Sequence, residues 1–128
     1  MSESVSPKEE LIKRLSFLLE KEENVRFAYL FGSRAEETAS VHSDIDIALY
    51  LEREDFEAEL ALLHTLQKAL KVPVDLSVLN RTYNIDLLDE IIRRGILLKD
   101  HPERLDYELR KWQEILDFRA ERKRKDVA

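Results

Sequence analysis

Leu30-Phe31-Gly32-Ser33, followed by Ser43-Asp44-Ile45-Asp46-Ile47, is the stretch that decides the fold. The apolar run from Phe27 to Phe31 ends on Gly32-Ser33, and residues 34–43 separate that pair from two aspartates with one residue between them. In a strand, side chains alternate faces, so Asp44 and Asp46 point one way and Ile45 and Ile47 the other. Two neighbouring carboxylates repel each other unless a divalent cation lies between them, and hard oxygen ligands suit Mg²⁺. Gly32 is one of only two glycines in the chain. A glycine at a strand end, ahead of a serine, marks a backbone that must approach something closely. Exposed N–H groups and a hydroxyl at such a turn form an anion site, most naturally for phosphate.

A third carboxylate extends the pattern. Val74-Asp75-Leu76 places an aspartate inside the β-prone run Val72 to Leu79, where strand preference disfavours it. If that strand lies beside the second, Asp75 shares a face with Asp44 and Asp46. Three such carboxylates can hold two Mg²⁺ ions, as two-metal phosphoryl chemistry requires. A bare D-x-D is most often an ordinary solvent-facing pair. The preceding strand, the Gly-Ser and the third aspartate move the balance to a metal site, with Asp44, Asp46 and Asp75 as ligands and catalytic residues.

With these residues in view, the chain resembles the DNA polymerase β-type nucleotidyltransferases. Phe31-Gly32-Ser33-Arg34-Ala35 with Ser43-Asp44-Ile45-Asp46-Ile47-Ala48 is similar to the small stand-alone branch, the minimal nucleotidyltransferases of the MntA type. The motifs run from about Val25 to about Leu79. The resemblance implies a polymerase β-like fold, ATP as substrate, two Mg²⁺ ions, and nucleotide binding by Gly32, Ser33, Arg34 and Ser43. It also implies a partner, a HEPN-domain toxin, whose tyrosine hydroxyl receives AMP and which is thereby silenced. The chain departs from the pattern at Glu37 and His42, where relatives often carry a glycine and an acidic or small residue. Neither is a chemical residue of the motif, so loop shape rather than chemistry is affected.

Bulk properties agree with such an enzyme. The 128 residues suit one domain, expected to span 1–128 with 1–5 and 120–128 frayed. The net charge of −6 disfavours a general grip on nucleic acid and fits a protein partner better. Without cysteine there is no disulfide, thiolate site or cysteine nucleophile. No apolar run is long enough to span a bilayer, and Met1-Ser2-Glu3-Ser4 does not open a secretion signal. A cytoplasmic protein is expected, and homodimer and hetero-oligomer with a toxin both stay open.

The remaining pattern is α+β. Ser6-Pro7-Lys8-Glu9 opens a helix with a capping box. Strands are expected at Val25–Phe31, Asp44–Leu51 and Val72–Leu79, with a short one at Ile96–Leu98. Glu54–Leu70 is a helix expected to bury Phe56, Leu60, Leu63, Leu66 and Leu70. Asn84 caps a helix to Arg94, and Gly95 stands where a left-handed cap is expected. A long last helix carries Leu105, Leu109, Trp112, Ile115 and Leu116. The architecture this predicts is a small mixed β-sheet with helices packed on one face and the acidic face open.

Other residues take the plainer assignment. His42 is an exposed loop histidine; His64 and His101 are structural. No tyrosine is singled out as a base-stacking ring, and Trp112 is assigned to packing. Two alternatives to the AMP-transferring antitoxin remain: a catalytically silent antitoxin that neutralises by docking, and a transferase for a small molecule such as an aminoglycoside. The short chain leaves no room for an acceptor-gripping domain, which counts against the second.

Overall fold

The computed structural model describes residues 6–36 and 43–127. A four-stranded sheet forms its centre, built from β1 (Val25–Phe31), β2 (Ile45–Leu51), β3 (Val74–Val78) and β4 (Ile96–Lys99). The strands stand in the order β3-β2-β1-β4. β1 is antiparallel to both β2 and β4, and β2 and β3 are parallel. The parallel pair follows from its connection: helix α2 (Phe56–Leu70) supplies the long crossover that parallel neighbours need. The mixed sheet and the α+β class are as the sequence indicates.

Helix α1 (Pro7–Glu20) starts where Ser6 accepts the Glu9 N–H at 3.2 Å, with Pro7 in the first turn. Asp55 caps α2 by accepting from Glu57 and Ala58. Asn84 caps α3 (Ile85–Arg94) by accepting from Leu87 at 3.1 Å. Each side-chain cap satisfies an otherwise orphaned helix N–H, worth about 1 kcal/mol.

The helices cover both faces of the sheet, which corrects the one-sided arrangement expected. Ala28, Leu30, Ile45, Ile47, Leu49, Val74 and Val78 pack against Leu15 and Leu19 of α1 and Leu62 and Leu66 of α2. On the opposite face, Phe27, Tyr29, Phe31 and Ala48 pack against Leu88 and Ile91 of α3 and against Tyr107 and Ile115 of helix α4 (Arg104–Val127). The physical reason lies in β1. Both of its faces are apolar, and a strand of that kind needs cover on both sides. Each fully buried large side chain contributes roughly 1.5–3 kcal/mol.

Three local expectations also differ. In α2 the buried pair is Leu62 and Leu66, while Phe56 and Leu60 are 72% and 48% exposed. In α4 Leu105, Leu109 and Leu116 face solvent and Tyr107 turns inward, while Ile115 is buried as expected. The phase of each helix is set by what the sheet offers, not by the count of leucines. Gly95 is not left-handed, with φ −65. A side chain there would instead meet the Ile91 carbonyl and Tyr29, so close approach accounts for the glycine. α4 runs to Val127. Among the described residues no helix is long and apolar enough to cross a membrane.

Candidate functional site

β1 passes directly into a 3-10 turn, Gly32–Ala35, closed by the Glu36 N–H donating to the Ser33 carbonyl at 3.1 Å. Gly32 has φ +73, a left-handed conformation that costs a residue with a side chain about 1–2 kcal/mol. Space at Gly32 is a second constraint, since a methyl group there would run into an oxygen of the Asp46 carboxylate. Ser33 is exposed at the turn and Arg34 is half-buried.

The sheet register builds the acidic centre. Phe31 pairs with Asp46, and Asp46 pairs with Asp75. Residues paired across adjacent strands point to the same face, so Phe31, Asp46 and Asp75 form one row across three strands. Phe31 is buried, Asp46 half-buried and Asp75 exposed on the edge strand. Asp44 stands exposed just ahead of β2, and half-buried Ser43 precedes it. This row holds the Asp46 carboxyl above the usual carboxylate range. Burial is the largest cause, followed by repulsion from Asp75, then Asp44, then Glu90.

Glu90 was not found from sequence. It lies on α3, which packs on the same face as the acidic row. Nothing in its spacing separates it from a solvated helix residue, and only the two-sided cover of the sheet brings it near Asp46. The three expected aspartates are thus brought to one end of one face, beside the glycine turn. Among the described residues no three His, Cys, Asp or Glu side chains gather as ready ligands for one metal ion. The donors are all carboxylate oxygens, and Asp46 is held up by like charges that a divalent cation would offset. That chemistry fits Mg²⁺. Glu37 and His42 lie outside the described residues. His101 is structural as expected, its Nδ1 accepting the Glu103 N–H at 3.1 Å, and His64 is exposed.

Comparison with known proteins agrees with this fold. A family model described as polymerase beta, nucleotidyltransferase matches residues 13–104. A crystal structure of a toxin–antitoxin with AMP-PNP is similar over 95% of this chain and 98% of that one, with 27% identity and a TM-score of 0.72. A mutant MntA–HpeT toxin–antitoxin structure is similar over 89% and 94%, with 28% identity and a TM-score of 0.71. The fold is also that of a chain in the structure of a tri-AMPylated Shewanella oneidensis HEPN toxin in complex with MNT antitoxin, with 24% identity, coverage of 94% and 98%, and a TM-score of 0.70. No curated protein sequence matches the chain.

Proposed function

The chain belongs to the polymerase β nucleotidyltransferase family, and on that premise we propose that it transfers AMP from ATP, with Mg²⁺, to a tyrosine hydroxyl of a cognate HEPN toxin and so acts as its antitoxin. The observation that carries this is the row Phe31–Asp46–Asp75 set against the Gly32 turn. The closeness of the Asp46 carboxylate to the Gly32 turn supports a cation bound by oxygens beside a backbone that receives phosphate. The AMP-PNP found with a similar toxin–antitoxin supports the nucleotide, and the pairing with a toxin there supports a toxin as partner.

Each residue has a role that follows from its place. Gly32 and Ser33 present N–H groups and a hydroxyl to the phosphates, where negative charge grows during transfer. Arg34 and Ser43 flank that cradle. Asp44, Asp46 and Asp75 would hold Mg²⁺, which when bound neutralises the triphosphate and acidifies the attacking hydroxyl. Phe31 keeps water from one side of Asp46, which strengthens its interaction with any cation. Asp75, exposed at the sheet edge, takes the hydroxyl proton. The tyrosine oxygen then bonds to the α-phosphorus, the α–β bridging bond breaks, and pyrophosphate leaves in line. Use of ATP as donor supports a cytoplasmic location.

The experiment is transfer of label from α-labelled ATP with Mg²⁺ to the co-purifying partner, comparing wild type with Asp44→Asn/Asp46→Asn. Label on the partner only with intact aspartates is the expected result. An unlabelled partner that both forms still silence would overturn the transferase in favour of docking alone. Label on an aminoglycoside instead would favour the small-molecule reading.

A further inference from the structure

We propose that Arg94, on the last turn of α3, is a nucleotide-binding residue that receives the β- and γ-phosphates of ATP and then the departing pyrophosphate. This rests on the function proposed above and adds a residue to it. The sheet order supplies the direction. Across the row, Asp75 lies on β3, Asp46 on β2 and Phe31 on β1, with β4 beyond. Ile96, the first residue of β4, pairs with Leu30, one residue before Phe31. Arg94 stands two residues ahead of Ile96, so it lies at the end of the row opposite Asp75.

In-line transfer makes that position meaningful. The attacking and leaving oxygens take opposite sides of the phosphorus. An acceptor hydroxyl that gives its proton to Asp75 comes from the β3 edge. With the α-phosphorus over Asp46, the leaving pyrophosphate points the other way, past the Gly32 turn and toward β4. Arg94 is the arginine that α3 delivers there.

Its surroundings suit a handover. The Arg94 guanidinium lies 3.7 Å from a carboxylate oxygen of Glu36, the residue that closes the Gly32–Ala35 turn, and the two side chains are 70% and 54% exposed. That is longer than a hydrogen bond, and exposed pairs of this kind contribute little. A phosphate oxygen is a stronger, charge-assisted partner and can displace Glu36 at small cost. The neighbouring Arg93 is committed elsewhere, with two hydrogen bonds to Asp89 at 2.8 and 2.6 Å.

The test is calorimetric binding of AMP-PNP and of AMP, each with Mg²⁺, to wild type, Arg94→Ala, Arg94→Lys and Arg110→Ala. Arg110 is an exposed arginine on α4 that controls for net charge. Arg94→Ala should weaken AMP-PNP about tenfold or more and leave AMP unchanged, since AMP lacks the distal phosphates. Arg94→Lys should recover part of the loss, and Arg110→Ala should match wild type. Unchanged AMP-PNP affinity in Arg94→Ala, or equal loss of AMP and AMP-PNP, overturns the assignment. Wild type that binds neither nucleotide overturns the proposed function and this inference together. Thermal unfolding of Arg94→Ala should match wild type, because the side chain is largely in solvent.

Discussion

Gly32 and Asp46 face each other across the end of the β1–β2 pair with no room for a methyl group between them. Two costs therefore fall on Gly32→Ala. The left-handed backbone at φ +73 costs alanine about 1–2 kcal/mol. The added methyl group also pushes the Asp46 carboxylate out of the acidic row. Misplacement of a reacting group by about 1 Å lowers rates by about a hundredfold. Gly32→Ala should melt at lower temperature and lose AMP transfer by about that factor. A variant that stays fully active in the α-label assay would detach the turn from the chemistry.

The acidic row gives stability a distinctive pH dependence. The Asp46 carboxyl is held above the usual range, first by burial and then by Asp75, Asp44 and Glu90. A raised value means the folded state binds the proton more tightly than the unfolded chain. Its contribution is fully present below the ordinary carboxylate value and is lost as pH rises through the raised one. Asp100 acts with the opposite sign, since its hydrogen bond to Arg104 holds it low and its contribution fades as pH falls. Comparing wild type with Asp46→Asn isolates the first effect. In urea denaturation across the acidic range, Asp46→Asn should gain on wild type as pH rises, and Mg²⁺ should narrow that gap by stabilising only wild type. Parallel curves for the two proteins would place Asp46 in ordinary solvent.

Asp89 is the charged residue most deeply buried among the described residues, and it ties two helices together. It accepts two hydrogen bonds from Arg93 on its own helix and a contact from Arg119 on α4. Both arginines are about half exposed, so they regain water when the carboxylate is removed. The loss in Asp89→Ala should therefore be about 2 kcal/mol, below the cost of stranding a fully buried charge. Chemical denaturation measures it. Asp89→Asn should fall between wild type and alanine. A change under about 0.5 kcal/mol would mean α4 is held by Tyr107 and Ile115 alone.

The parts of this molecule legible in its sequence are those with local causes. Ser6 and Asn84 cap helices because their side chains reach an N–H three residues on. Gly32-Ser33 and Asp44-x-Asp46 are readable because strand alternation and turn conformation are short-range. Asp75 was readable as an aspartate out of place in a strand, and the parallel register put it beside Asp46. What failed was long-range. The doubly apolar β1 carried the signal for helices on both faces, and spacing in α2 and α4 found Leu66 and Ile115 but also named Phe56, Leu60, Leu105, Leu109 and Leu116, and passed over Leu62 and Tyr107. Helix phase depends on the partner surface, which spacing alone does not contain. Glu90 and Arg94 reach the acidic end only because α3 crosses the same face.

Asn80 holds the opposite end of the β2–β3 pair. Its side-chain amide donates to the Leu51 carbonyl at 2.9 Å and its carbonyl accepts the Leu51 N–H at 2.8 Å. A side chain thus continues the ladder beyond β3, imitating a peptide group where the chain has turned away into the short 3-10 turn Leu79–Arg81. Leu51 is 3% exposed, so its backbone groups have little access to water. Asn80→Ala leaves both without a partner and should cost about 2–3 kcal/mol. Asn80→Asp should cost more, since a carboxylate keeps the acceptor but sets negative charge against the Leu51 carbonyl. Urea denaturation ranks the three proteins. The acidic row lies at the far end of β2, so AMP transfer measured well below the melting temperature should be retained in Asn80→Ala. Loss of transfer with the fold intact would show that Asn80 sets the alignment of Asp46 with Asp75 as well as the stability of the sheet.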